Sequence, residues 1–175
     1  MNQTEQQTLL RKAKSAEISN KRLFQKLRQK MPKNLDETVK ELHHKAFEQI
    51  SCTTCANCCK TTSPRFLDKD IERLARYFKS SPGQFITRYL KIDKDGDYVL
   101  QHAPCPFLAD DNLCMVYDQR PNACREYPHT DQRKFHVNFD ITLKNTFVCP
   151  AVFEIIEQLK LIYPDKSAIN KKHPA

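Results

Sequence analysis

Apolar side chains recur at helical spacing over the first third of the chain. Residues 5–30 place them among Lys, Arg and Gln, which predicts a long, weakly apolar helix. Residues 35–50 repeat the pattern on one face and predict a second helix. Asn34 precedes this helix and Glu37 follows three positions later, which is the spacing of a capping box. The chain therefore reaches its first cysteine, Cys52, from the end of an amphipathic helix.

The middle of the chain predicts shorter elements. Asp68 is placed to cap a helix, and Ser81, with Gln84 three positions later, is a second helix start. The Asp95-Gly96 pair predicts a turn, with Tyr98–Leu100 as one strand of a hairpin. The middle of the chain thus adds short helices and a small hairpin to the two long helices.

Two more elements are predicted near the end of the chain. Phe135–Leu143 reads as a strand region within an otherwise irregular, Pro-punctuated stretch over 101–150. Cys149-Pro150 opens a final amphipathic helix.

Charge and cysteine positions divide the chain. It carries 29 basic and 21 acidic side chains, a net charge of +8, of which +5 lies on residues 1–50. All eight cysteines lie between Cys52 and Cys149. No apolar run approaches the ~20 residues that span a bilayer, so we expect no membrane insertion. We expect a basic helical N-terminal arm at 1–50, a Cys-rich domain at 51–163 and a polar tail at 164–175.

The N-terminal residues bear on the compartment. Leu9-Leu10 runs straight into Arg11-Lys12, so no apolar segment of a secretory signal is visible. We therefore expect a cytoplasmic protein in a reducing environment. Structural disulfides are rare there, and clustered thiols bind metal or do redox chemistry.

The first four cysteines form the strongest chemical motif, a C-x2-C-x2-C-C group at 52–59. Two intervening residues let successive thiolates turn toward one metal, which is why this spacing recurs in zinc and iron–sulfur sites. On a continuous helix, Cys52, Cys55 and Cys59 would lie within about 60° of one another, and Cys58 would point elsewhere. The adjacent pair therefore indicates ligands for two centres, or one ligand and one spare thiol.

The other four cysteines, Cys105, Cys114, Cys124 and Cys149, are spread along the chain. A single isolated cysteine is often a buried apolar residue. Four of them beside a C-x2-C-x2-C-C group favour metal binding instead.

The surroundings of these cysteines resemble a known family. Cys105-Pro106-Phe107-Leu108 is followed by Cys114-x-x-Tyr117-x-x-Arg120-Pro121-x-x-Cys124-Arg125-x-Tyr127-Pro128. Together with the first group, these motifs resemble the bacterial CxxCxxCC cysteine-cluster family, whose members are described as zinc- or iron-chelating or as containing iron–sulfur clusters. Flagellin lysine N-methylases carry a related cluster.

The resemblance spans roughly residues 52–150 and has consequences for the ligands. It implies that all eight cysteines belong to the metal-binding set: Cys52, Cys55, Cys58, Cys59, Cys105, Cys114, Cys124 and Cys149. Relatives often have Gly where this chain has Ala56, which restricts the backbone but removes no ligand.

The metal is left open between two classes. Zinc and iron–sulfur clusters both favour thiolates, so residue type does not separate them. Cys59 adjoins Cys58 where the bacterial ferredoxin run has three spacer residues, so the chain is not a ferredoxin. The resemblance favours an iron–sulfur cluster, with [4Fe–4S] as the expected type, in one or two centres.

Arg120, Arg125 and Tyr127 are candidate residues around the bound metal. Arginine beside an anionic thiolate centre would offset its charge and donate hydrogen bonds to sulfur. The alternative is that both arginines pair with Asp118, Glu126 or backbone carbonyls.

These features predict a mainly α fold, α+β only through a small β-hairpin, with an irregular, metal-stapled Cys-rich core flanked by helices. The favoured function is metal binding for chelation, delivery or electron transfer. One alternative is a cluster-dependent enzyme, methyltransferase-like or an oxidoreductase, although the chain has no P-loop or GxGxxG motif. The other is a zinc-stapled interaction module whose basic arm binds a protein partner. Nucleic acid is a less favoured partner, because no stacking motif accompanies the basic residues.

Overall fold

The two amphipathic patterns at the start of the chain form helices as predicted. In the computed structural model, which describes residues 1–165, α1 spans Gln3–Gln29 and α2 spans Leu35–Gln49. Asn34 is the N-cap of α2, but its side chain makes no capping hydrogen bond. The predicted tail at 164–175 lies outside the described residues from position 166 onward.

The remaining elements are short. The helices are α3 (Cys52–Cys55), α4 (Asn57–Thr61), α5 (Asp68–Tyr77), α6 (Pro82–Tyr89), α7 (Asn122–Glu126), α8 (Phe139–Asn145) and α9 (Pro150–Ile162). The 3₁₀ turns are Tyr117–Gln119 and Phe135–Asn138. The strands are β1 (Arg65–Phe66), β2 (Leu90–Ile92) and β3 (Tyr98–Leu100), which form an antiparallel sheet in the order β1-β3-β2. The predicted fold class, mainly α with a small β-hairpin, is confirmed.

The capping residues predicted from the sequence are correct for α6 but not for α5. Ser81 caps α6 as predicted, because its Oγ accepts from the Gln84 N–H at 3.2 Å and the Gln84 side chain accepts from the Ser81 N–H at 2.9 Å. The helix predicted to be capped by Asp68 instead begins at that residue. The capping carboxylate is that of Asp70, which accepts a hydrogen bond from the N–H of Leu67, the residue before the helix, at 3.1 Å.

The prediction of a strand region over Phe135–Leu143 is wrong. A 3₁₀ turn and α8 occupy this stretch. Apolar residues alternate there, which mimics a strand, but Phe135 and Phe139 are buried four positions apart while Val137 is 68% exposed. Helical spacing of the two phenylalanines therefore decides the structure.

The described residues divide into two compact units. Unit 1 is Met1 with residues 52–127, and unit 2 is residues 2–51 with the chain from Pro128 onward. In unit 2, α9 packs against α1 and α2, and the Phe24 and Phe139 rings lie 4.9 Å apart. Residues of the predicted arm thus share a unit with α9, while the predicted domain boundaries stay a prediction.

Unit 1 has its own apolar core between α5, α6 and the sheet. Its buried members are Phe66, Ile71, Leu74, Ala75, Phe85, Leu90, Leu100, Phe107 and Val116. Cys105 and Cys114 pack against this core from its edge. Within residues 1–165, no helix combines the length and the apolar character that a membrane crossing requires.

Unit 2 contains a histidine whose burial predicts a pH effect. His43 Nδ1 lies 2.8 Å from the buried Thr130 hydroxyl, and burial lowers the pKa of His43 from 6.5, with Asp131 opposing the shift and His44 adding to it. Because the pKa is lower in the folded state, the unfolded chain binds more protons, and stability falls as the pH drops below about 6.5. We expect urea unfolding to show that His43→Gln loses less stability than wild type between about pH 7.5 and pH 5.5. The exposed neighbour variant His44→Gln should keep most of the wild-type loss, because burial is the main cause of the shift. A wild-type loss in His43→Gln would contradict the assignment.

Candidate metal centre

The C-x2-C-x2-C-C run is two short helices, not one. The first, α3, ends at Cys55, and Ala56 takes the left-handed conformation (φ 48°, ψ 17°) before α4 begins. The Ala56 N–H donates to the Cys52 carbonyl at 2.8 Å, which ends α3. The break at Ala56 replaces the shared helix face that a continuous helix would give Cys52 and Cys59.

The left-handed conformation at Ala56 is one that glycine adopts without strain. Ala56 is 4% exposed, so its methyl group is buried while its backbone is strained. We expect Ala56→Gly to change the free energy of unfolding by less than about 1 kcal/mol, because relief of strain offsets lost burial and added chain entropy. A β-branched residue fits this conformation poorly, so Ala56→Val should lose about 2–4 kcal/mol. Urea unfolding of the metal-free variants measures both, and equal stability of the two variants would refute the role of the conformation.

Backbone contacts bring Cys105 to Cys59 and fix the loop to Cys114. The Cys105 N–H donates to the Cys59 carbonyl at 2.8 Å. Leu108 forms an isolated antiparallel bridge with Cys114, and the Met115 N–H donates to the Phe107 carbonyl at 2.9 Å. Cys105 and Cys114 are thus held on either side of one small hairpin.

Cys124 reaches the same region on α7. Its N–H donates to the Pro121 carbonyl at 2.9 Å, at the start of that helix. The Asn122 N–H, also at the helix start, donates to the Asp70 carboxylate at 3.1 Å. The short helix is therefore fixed to α5 by a side chain of that helix.

The four thiols of Cys59, Cys105, Cys114 and Cys124 interact electrostatically. The pKa of Cys124 is raised to about 12, chiefly by burial and also by the other three thiols. Burial likewise raises the pKa of Cys105 to about 11, against hydrogen bonding to the backbone of Phe107, with Cys59 and Cys114 adding to the rise. Cys114 shows the same pattern, with Cys59 as its thiol neighbour.

Cys59 differs from the other three thiols. Its pKa is lowered to about 7, chiefly by a hydrogen bond with the Cys58 side chain, while burial opposes the shift and Lys60 contributes to it. Cys59 is therefore the thiol of this group that loses its proton most readily. A thiolate is the form that binds metal.

The sulfur donors of this group suit a soft metal, but the four side chains are not arranged as a complete set of metal ligands. Four sulfur donors of this kind suit zinc or iron in preference to hard cations. Within residues 1–165, no three His, Cys, Asp or Glu side chains are close enough together to hold one metal ion. The thiols must therefore turn toward the metal and release protons as it binds.

The other cysteines lie in two different places. Cys52 is exposed as a residue, yet partial burial of its thiol raises its pKa, and the Cys55 and Cys59 thiols add to the rise. Cys149 belongs to unit 2, where it is 8% exposed and precedes α9. None of the eight cysteines, which all lie within residues 1–165, forms a disulfide.

The predicted polar neighbours hold the segment before Cys124. Arg120 donates to the Tyr117 carbonyl at 2.6 Å and lies over the Tyr117 ring at 3.8 Å. Arg125 donates to the carbonyls of Arg120 and Asp118. The Arg120 charge nevertheless lowers the pKa of Cys114 and of Cys124, against the larger effect of burial.

Tyr127, the third predicted neighbour, directly follows α7. Its N–H donates to the Ala123 carbonyl at 3.2 Å, and its hydroxyl oxygen is buried. A role for Arg120, Arg125 and Tyr127 around a bound metal stays a prediction.

Asp70 and Arg73 are the residues near this site that the sequence did not reveal. Their ion pair is 2.6 Å long, and the Asp70 side chain is 3% exposed. One signal was available, since Asp70 lies one and four positions before the core residues Ile71 and Leu74. An acid on the apolar face of a helix indicates a buried, partnered carboxylate.

Comparison with known proteins identifies the domain. A family model named CxxCxxCC, described as a putative zinc- or iron-chelating domain, matches residues 51–146, more than half of the chain. The chain belongs to this family. The CxxCxxCC match includes the cysteines from Cys52 to Cys124 and ends before Cys149. No curated protein and no solved structure matches the chain significantly.

Proposed function

We propose that this CxxCxxCC protein binds its metal through one four-thiolate group, formed by Cys59, Cys105, Cys114 and Cys124. The observation that carries the proposal is the placement of these cysteines. One backbone hydrogen bond of 2.8 Å joins Cys105 to Cys59, and one bridge joins Leu108 to Cys114. Family membership gives the chemistry, zinc or iron chelation.

The backbone around two of these cysteines supports a ligand role. Cys105 and Cys114 each hydrogen-bond to the backbone of the residue two positions later, Phe107 and Val116. Such bonds stabilise the thiolate form, and hydrogen bonds to sulfur tune thiolate-held iron centres. The same local structure recurs at two cysteines, which a pair of unrelated buried thiols would not require.

Within this proposal an iron–sulfur cluster, expected as [4Fe–4S], is favoured over zinc, and the setting is a reducing cytoplasm. Cys52, Cys55 and Cys58 are candidate ligands of a second centre. The bound metal would supply electron transfer if it is a cluster, or a structural link between the Cys segments if it is zinc.

Purification without oxygen, followed by metal analysis and an optical spectrum, separates the two metals. We expect a brown protein that contains iron and acid-labile sulfide. A colourless protein with stoichiometric zinc would keep the four-thiolate site and overturn the preference for a cluster. Absence of both metals, with none taken up on reconstitution, would overturn the proposed function.

A further inference from the structure

Asp70 is a buried carboxylate whose hydrogen bonds reach the segment that carries Cys124. A buried charge is costly unless it is paired and hydrogen-bonded. Asp70, 2% exposed, accepts from the Arg73 guanidinium at 2.6 Å and from the Leu67 N–H at 3.1 Å. Its remaining partner is the Asn122 N–H at 3.1 Å, the first residue of α7.

Arg73 bonds the same segment from its other side. Its Nε donates to the Gln119 carbonyl at 3.3 Å, and its Nη2 donates to the Arg120 carbonyl at 2.9 Å. The Arg73 guanidinium therefore donates to two carbonyls that precede α7, while the Asp70 carboxylate accepts from an N–H at the start of that helix. A planar guanidinium with several fixed donors suits this bridging, which a lysine ammonium would not reproduce.

The helix that receives these bonds has no side-chain cap of its own. Pro121 is the N-cap of α7 and makes no side-chain capping bond. Asp70 supplies the missing acceptor from α5, at a position where an anion is also favoured by the helix dipole. Cys124 follows Asn122 by two residues in this short helix.

We propose that the Asp70–Arg73 pair is a positioning device for the Cys124 ligand, and this inference rests on the proposed four-thiolate site. A buried ion pair is a weak source of stability, since apolar residues of similar volume often serve as well or better. Its bonds to residues 119–122 instead fix where Cys124 stands relative to α5. Partners outside the ligand shell typically matter by about 10–100-fold in metal affinity.

Titration of metal-free protein with Co²⁺, well below the unfolding temperature, tests this inference. We expect Arg73→Gln and Asp70→Asn to raise the Kd for Co²⁺ by about 10–100-fold and to change the cobalt–thiolate absorption bands. Arg73→Lys keeps the charge beside Asp70 but cannot bridge both carbonyls, so it should bind with intermediate affinity. The Arg73 side chain is 30% exposed, so we expect its variants to fold. They decide the test if Asp70→Asn does not fold.

The matched controls lie on the same helix. Asp68→Asn and Arg76→Gln make the same chemical changes at exposed positions of α5 and should bind Co²⁺ as wild type does. Wild-type affinity and an unchanged spectrum in Arg73→Gln would overturn the positioning role alone, even with reduced thermal stability. A wild-type protein that binds neither Co²⁺, Zn²⁺ nor iron would overturn both this inference and the function on which it rests.

Discussion

Replacing Cys124 with serine should remove the four-thiolate metal centre. Cys124 is half-buried, and burial together with the nearby thiols of Cys59, Cys105 and Cys114 raises its pKa. Serine keeps the size of the side chain but provides a poor ligand for a soft metal. We expect the affinity to fall by more than about 100-fold, beyond the ~10–100-fold that loss of an outer partner costs.

The contrast with Cys52→Ser makes this prediction specific. Cys52 is exposed and lies at the start of α3, near Cys55 and Cys59. The Cys52→Ser protein should keep the Co²⁺ spectrum of a four-thiolate centre, and Cys124→Ser should lose it. Full metal retention in Cys124→Ser, or loss of that spectrum in Cys52→Ser, would show that the ligands are grouped differently.

Truncating Phe85 should destabilise unit 1 most strongly. Its side chain is 1% exposed, and its ring lies 5.0 Å from that of Tyr89 and 6.2 Å from that of Phe107. Removal of a buried phenylalanine ring costs about 3–5 kcal/mol, because apolar contacts are lost and a cavity remains. We expect a loss of this size in urea unfolding of Phe85→Ala, measured without metal.

The effect of Phe85 should extend to metal binding. Cys105 and Cys114 pack against the same core, so its loosening should also lower the affinity for Co²⁺. Tyr77→Ala removes a ring that is 53% exposed and should cost about 1 kcal/mol or less. Equal destabilisation by the two variants would contradict this description of the core.

Local signals in the sequence predicted most helices because their causes are local. The Ser81 and Gln84 pair defines its own capping bonds, and apolar periodicity defines α1 and α2. The apolar pattern misled at Phe135–Leu143, because apolar residues alternate there and alternation is typical of a strand. There the decision came from packing, since Phe135 and Phe139 contact each other at 5.4 Å between ring centres.

The candidate site was predicted in its chemistry but not in its grouping. Cysteine spacing indicated thiolate ligands, and the family match supports metal chelation. Spacing could not show that Cys59, rather than the whole first group, lies with Cys105, because that depends on one long-range backbone bond. The Asp70–Arg73 pair likewise depends on contacts with residues about fifty positions away.

The central claim is that Cys59, Cys105, Cys114 and Cys124 ligate one metal centre. X-ray absorption at the metal edge of the anaerobically purified protein, compared with Cys124→Ser, measures those ligands directly. We predict a first shell made of sulfur alone, at about 2.3 Å if the metal is zinc, which Cys124→Ser loses or converts to mixed sulfur and oxygen. A first shell dominated by nitrogen or oxygen in the wild-type protein, or an identical sulfur shell in Cys124→Ser, would contradict the four-thiolate site.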